Sequence, residues 1–209
     1  MHDFKHFFSK NINFSRETSY RFKKYEKILI EYNKKINLIS KSTEKDIYNR
    51  HFIDCAQVID FLSNNQNLLD LGTGAGFPGI VLKIVSKDFS KNLNIVLIEK
   101  SKKKCLFLNF LKKQLNIDIS IVNQRYEDFK ISKKHSIITR AFKNIKETID
   151  LAYKNLSNIE NLIMLKGKNH INEINEAEKK YMFHVKKYQS LTSKDSYILK
   201  ISQINLITT

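Results

Sequence analysis

Glycine, proline, cysteine and tryptophan are all scarce in this chain of 209 residues, and each scarcity excludes something. The 2 cysteines, Cys55 and Cys105, are too few for a disulfide framework or a cysteine-built zinc site. The 6 histidines, at positions 2, 6, 51, 135, 170 and 184, have no ligand spacing with either cysteine, and no metal is expected. Apolar runs last only a few residues, far short of a bilayer-spanning helix. The opening stretch MHDFKHFFSKN lacks the apolar core and the small-residue cleavage site of a signal peptide. A cytoplasmic protein without a membrane partner is expected. No repeat or low-complexity linker interrupts the chain, whose length suits one domain with an appendage.

What the chain has in excess is positive charge. Lys and Arg total 37 against 21 Asp and Glu, a formal net charge of +16. Such an excess favours a polyanion, most simply nucleic acid, through phosphate neutralisation and counterion release. Compositional drift in a sequence rich in Lys, Asn and Ile is the plain alternative, but drift would also raise Asp and Glu.

Hydropathy divides the chain into an N-terminal helical extension, residues 1–63, and one compact unit, residues 64–209. Phe22, Tyr25, Leu29, Tyr32 and Ile36 recur at offsets of three and four, the stripe of an amphipathic helix. A second helix is predicted from Thr43 to Leu62, capped by Ser42 or Thr43. From Asn67 onward short apolar runs alternate with helical stretches. Strands are expected at Asn67–Leu71, Asn94–Ile98, Ile117–Asn123, Ser136–Thr139 and Asn161–Leu165, with helices at Ile80–Val85, Lys102–Leu115 and Lys146–Leu156. That alternation implies an α/β fold with a parallel sheet covered by helices on both faces. Met182–Gln189 and Tyr197–Ser202 read as two closing antiparallel strands around the polar turn Thr192–Ser196.

Four of the 5 glycines and the single proline fall within LGTGAGFPG, at Gly72, Gly74, Gly76, Gly79 and Pro78. A tight turn would need only one glycine. Several, placed between a predicted strand and a predicted helix, describe the first βα turn of a doubly wound fold, where backbone N–H groups approach a ligand closely. No Lys-Ser or Lys-Thr follows, which excludes a P-loop. Gly74, Gly76 and Gly79 do match G-x-G-x-x-G, leaving a dinucleotide open. Asp70, directly before the loop, is expected to repel a pyrophosphate and welcome a cationic ligand, unless it merely caps the loop. Glu99, at the end of the second strand, is placed to accept ribose hydroxyls, unless it pairs with its neighbouring lysines. S-adenosyl-L-methionine, with an ammonium, a sulfonium and a ribose but no phosphate, fits this set better than NAD.

In order, INLIS, RHFIDC, LLDLGTGAGFPGI, QRYEDF, ITRAF and LKG span residues 30 to 170. Together they resemble the RsmG family, also called glucose-inhibited division protein B, the guanine-N7 methyltransferases of small-subunit ribosomal RNA. The resemblance implies a class I, Rossmann-like methyltransferase fold with a mostly parallel seven-stranded sheet and a helical extension. It implies methylation of guanine 527 in 16S rRNA, with S-adenosyl-L-methionine as cofactor and the RNA or the small ribosomal subunit as partner; a monomer is expected. Cofactor contacts at Gly74, Gly76 and Glu99 are expected from the loop and the strand end themselves, and the resemblance implies others at Gly72, Phe77, Tyr126, Glu127 and Arg140. Arg50, His51 and Lys166 are implied at the RNA, and Asn37 and Asp54 match the helical motif. No residue is expected to transfer a proton; catalysis would come from proximity, with Arg140 as an orienting group. The chain departs from the family's Asp-Ser and Lys-Arg pattern, having Glu99-Lys100, then Ser101 and three lysines. Two other functions share these features: a nicotinamide-dependent oxidoreductase, and a ribosome assembly factor that binds RNA without turnover.

Overall fold

In a computed structural model describing residues 14–130, 133–155 and 159–207, the predicted strands form one sheet. The MHDFKHFFSKN stretch and the expected helix end at Leu156 lie outside the described residues. The strands are β1 (Asn65–Leu71), β2 (Asn92–Glu99), β3 (Ser120–Asn123), β4 (His135–Arg140), β5 (Ile159–Lys166), β6 (Tyr181–Gln189) and β7 (Tyr197–Leu206). Their order is β3-β2-β1-β4-β5-β7-β6. All neighbours among β1–β5 pair in parallel; β7 runs antiparallel between β5 and β6. The antiparallel ending expected from the sequence is therefore present.

Among the described residues five helices cover the sheet: α1 (Arg16–Asn33), α2 (Gly79–Val85), α3 (Lys102–Leu115), α4 (Ile145–Asn155) and α5 (His170–Glu178). Alternation along the strands sends neighbouring residues to opposite faces. Leu68, Ile138, Ile163 and Ile198 join one core with α1, α2 and α3; Leu69, Ile137, Leu162 and Leu199 join a second with α4 and α5. The first core runs without a break from Phe22, Tyr25 and Phe52 of the extension to Phe77 and Ile80 beside the glycine loop. The extension thus packs as part of the domain's own interior. Among the described residues no helix is long and apolar enough to cross a membrane.

Two expectations need correction. Residues 43–62 are not one regular helix. A 3₁₀ turn (Lys41–Asp46) leads to a π turn (Tyr48–Ile53), three α-helical residues (Asp54–Ala56) and a second 3₁₀ turn (Gln57–Phe61). The cap position is Ser40, without a side-chain cap, and Thr43 Oγ1 donates to the Ser40 carbonyl at 2.8 Å. The π turn has a cause at its centre: the Arg50 carbonyl accepts a hydrogen bond from Arg140 Nη2 at 2.8 Å. The second correction is α5, which the sequence reading left without an element although His170, Ile174 and Ala177 form its buried stripe.

Candidate active site

The sheet order reverses direction between β1 and β4, and a cleft opens there at the carboxyl ends of the strands. Its volume is about 500 Å³, within the range of small-molecule sites. Gly72–Ala75 and Phe77 line it from the glycine loop, and Leu38–Ser40, Thr43, His51 and Asp54 line it from the helical run, the two sets meeting where His51 stacks on Phe77. Arg140, Lys166 and Gly167 come from the strand ends; Ser190, Ser196 and Tyr197 close the far side.

Backbone geometry shapes the glycine loop. Gly72, Gly74 and Gly76 have φ of +68°, +60° and +101°, a region that L side chains rarely adopt. The N–H groups of Gly72 and Gly76 donate to the Ile98 and Thr73 carbonyls, both at 2.9 Å. A Cβ on Gly79 would come within 2.4 Å of Leu97, so this glycine lets α2 pack against β2. Gly74 is different. A Cβ there meets nothing closer than the Gly72 carbonyl oxygen at 3.9 Å, and the space beside it belongs to the cleft. From the opposite side, the Tyr25 hydroxyl donates to the Ala75 carbonyl at 2.6 Å and fixes the loop to α1.

Of the two expectations for Asp70, the structure shows the loop cap. The residue is 0% exposed, and its Oδ2 accepts from the Thr73 hydroxyl at 2.7 Å and the Gly79 N–H at 2.9 Å. Burial raises its carboxyl to about 7 in spite of these two bonds. It ties the loop from beneath and forms no part of the cleft wall, so it is no charge filter for the ligand. Glu99, at the end of β2, borders the loop: Oε2 accepts from the Gly74 N–H at 3.1 Å and Oε1 from the Ser101 N–H at 2.8 Å.

Arg140 is the hub of the helical-run side of the cleft. Its Nε donates to Asp54 Oδ2 at 3.0 Å, its Nη1 to His51 Nδ1 at 3.0 Å, and its guanidinium lies 5.8 Å from the Phe77 ring centre. Arg140 is therefore no ordinary surface charge. His51 stacks on Phe77 at 4.9 Å and 8°, with Nε2 3.0 Å from Thr43 Oγ1. Burial and the adjacent Arg140 lower its pKa to about 3, so the ring is neutral and Nδ1 acts as the acceptor. A buried, neutral His51 is not a cation offered to phosphate. Asp54 extends the network: Oδ1 accepts from Ser190 Oγ at 3.2 Å, Thr192 Oγ1 at 2.9 Å and Gln57 Nε2 at 3.1 Å. The helical run, β4 and the β6–β7 turn are thereby joined.

Of the other expected residues, the cleft wall includes Gly72, Phe77 and Lys166 and leaves out Gly76, Tyr126, Glu127 and Arg50. Tyr126 reaches the wall indirectly, its ring edge-on to Phe142 at 4.8 Å, and Phe142 lies where a Gly72 Cβ would fall, at 2.7 Å. Glu127 pairs with Arg125 at 3.7 Å on the surface. Lys166 Nζ is held by Glu173 Oε2 and the Lys143 carbonyl, both at 2.7 Å, and its side chain is only 10% exposed. Arg50 and Asn37 are exposed. The sequence reading missed Gln57, Ser190 and Thr192; their separation in the chain hides them, and no local motif marks the contact.

A seven-stranded sheet with an antiparallel β7, a glycine loop after β1 and an acid at the end of β2 is the class I methyltransferase fold. Solved structures agree on the fold. One is a putative class I S-adenosylmethionine-dependent methyltransferase from Listeria monocytogenes, with TM-score 0.59 and 10% identity, covering 94% of this chain and 71% of that one. Another is a magnesium protoporphyrin IX methyltransferase from Synechocystis PCC 6803 with bound SAM, with TM-score 0.56 and 14% identity, covering 92% and 99%. Sequence relatives are more specific: the chain is 36% identical over 198 residues to the ribosomal RNA small subunit methyltransferase G of Pelagibacter ubique (strain HTCC1062), covering 93% of each. Residues 18–201 match the GidB family, rRNA small subunit methyltransferase G, and the chain belongs to that family.

Proposed function

We propose that this chain, as a cytoplasmic monomer, methylates N7 of guanine 527 in 16S rRNA, with S-adenosyl-L-methionine as cofactor and the small ribosomal subunit as partner. The observation that carries the reading is the cleft at the switch point, with its open space beside Gly74 and a carboxylate bordering the loop. These residues fit the cofactor: Gly72, Gly74 and Phe77 offer close backbone and ring surface, and the remaining lone pairs of Glu99 suit ribose hydroxyls. Gly76 acts by letting the loop pass Tyr25 and Ile80, which a Cβ there would strike at 2.8 and 2.6 Å. Tyr126 and Glu127 follow β3 on the side where an adenine would rest. When bound, S-adenosyl-L-methionine supplies a methyl group made electrophilic by its sulfonium.

The N7 atom of guanine carries an in-plane lone pair, so no side chain has to remove a proton before attack. Both nitrogens of His51 are already engaged, by Arg140 and Thr43, which suits a wall that does not transfer protons. The work of the residues is then placement and exclusion of water, an effect worth up to about 7–11 kcal/mol. Arg140 serves by holding the wall in shape. The target base has to be unstacked to enter, and Arg50 on the exposed side of the helical run supplies a phosphate contact. His51 and Lys166, both engaged within the protein, shape the RNA side of the cleft.

The reading is tested by incubating the protein with labelled cofactor and small subunits that lack the modification, then mapping the label. One labelled methyl at N7 of guanine 527 is expected. Label at another nucleotide or no transfer would overturn the assignment, and tight NAD binding without adenosylhomocysteine binding would favour the oxidoreductase.

A further inference from the structure

Helix α3 breaks a local rule. Lys102, Lys103 and Lys104 occupy its first turn with no acid among them, where the helix dipole favours negative charge. Over its whole length the helix carries five lysines and no Asp or Glu. Its outward face is also unusually apolar. Leu106 is 64% exposed and Phe110 38%, and both share one face with Lys103 and Lys113. The C-terminal end of α1 continues that face: Tyr32 packs 5.3 Å from Phe110 and 5.2 Å from Phe107, with Lys35 Nζ 6.0 Å above the Tyr32 ring. Among the described residues, Lys35, Lys102, Lys103 and Lys113 form no ion pair. The patch begins at the cleft, because Lys104 belongs to the cleft wall and so does Leu38, shortly after α1.

We propose that this face, made of Tyr32, Lys35, Lys103, Leu106, Phe110 and Lys113, is where single-stranded RNA flanking the target nucleotide docks. The proposal rests on the RNA methyltransferase reading above. Charge selects the occupant. A polyanion neutralises the unpaired lysines and relieves their repulsion at the start of α3, whereas a second copy of the chain would bring the same charge against itself. Exposed Phe110, on one helix face with Lys103 and Lys113, suits a base stacked on it with phosphates on either side, an arrangement that accepts any sequence. From Lys103 to Lys113 the helix rises about 15 Å, long enough for a run of nucleotides leading into the cleft.

The test compares the intact protein with Lys103→Glu/Lys113→Glu and with Leu106→Gln/Phe110→Gln, all at exposed positions. Three quantities are measured: binding of unmodified small-subunit RNA across a salt series, adenosylhomocysteine affinity, and methyl transfer. The charge reversal is expected to weaken RNA binding about tenfold or more at 0.1 M salt and to reduce the log–log salt slope by about two. The glutamine pair is expected to weaken binding with the slope unchanged. Adenosylhomocysteine affinity is expected to stay the same in both. RNA binding equal to the unmodified protein in both variants, while the unmodified protein transfers methyl groups, would overturn the proposal. So would a concentration-dependent dimer that the glutamine pair abolishes. Face-dependent RNA binding without methyl transfer by the unmodified protein would instead overturn the enzyme reading and leave the docking face standing.

Discussion

The two walls of the cleft are built by opposite means. The glycine loop is held by its backbone: three glycines at positive φ, N–H groups on the Ile98 and Thr73 carbonyls, and Asp70 beneath. The helical run at 41–61 is held by side chains, through Arg140, Asp54, His51 and Gln57. A backbone-built wall has one shape and little tolerance, since any side chain at Gly74 enters the ligand space. The side-chain wall distributes its hold over several bonds, each of which can be removed singly. The difference teaches where function is brittle: at the loop a substitution should abolish binding outright, and across the cleft it should erode stability by steps.

The largest effect should come from Gly74→Val. Its φ of +60° is strained for valine, and the new side chain fills cleft space, so adenosylhomocysteine binding by calorimetry should fall below detection while the protein remains folded. Arg140→Ala tests the other wall. It leaves Asp54 Oδ2 and the Arg50 carbonyl without the Arg140 donor, and unfolding in urea should show a loss of about 2–3 kcal/mol. Weaker binding in this variant at full stability would show that Arg140 touches the cofactor and is more than a clasp. Glu99→Ala should cost cofactor affinity about 1.5–3 kcal/mol through lost charge-assisted bonds to hydroxyls, measured by the same calorimetry. An unchanged affinity would mean that Glu99 serves only the Gly74 and Ser101 N–H groups.

A smaller, signed effect distinguishes the walls by pH. His51 is depressed to about 3, so the unfolded chain binds the extra proton between pH 3 and 6.5, and this group makes stability rise with pH across that window. Asp70 is raised to about 7, so the folded chain binds the extra proton between pH 3.8 and 7, and this group makes stability fall as pH rises. The two oppose each other between pH 4 and 6.5. In His51→Gln, which keeps an acceptor for Arg140, the Asp70 slope should emerge, and the urea midpoint should decline more steeply from pH 4 to 7 than in the unmodified protein.

What the sequence made legible follows the same division. The βα alternation, the loop and the closing antiparallel strands were readable because their determinants are local: glycine spacing, period-two apolar runs, and the start of α3 at Lys102. The helical run defeated local reading, since its irregularity comes from Arg140, 90 residues from Arg50, taking a carbonyl out of the helix ladder. Both readings of Asp70 start from the same local sequence, and only its bonds to Thr73 and Gly79 decide for the loop cap. The turn between the C-terminal strands carries no motif, yet its Ser190 and Thr192 complete the Asp54 network, contacts spanning 136 and 138 residues.

The central claim is that this cleft works by placement and that no residue of its walls transfers a proton. The single-turnover rate at saturating cofactor and RNA, followed from pH 6 to 8.5 in the unmodified protein and in His51→Gln, tests it most directly. The account predicts profiles of the same shape, with any inflection near 7 from Asp70 common to both. A bell-shaped profile that disappears in His51→Gln, with RNA affinity intact, would contradict it.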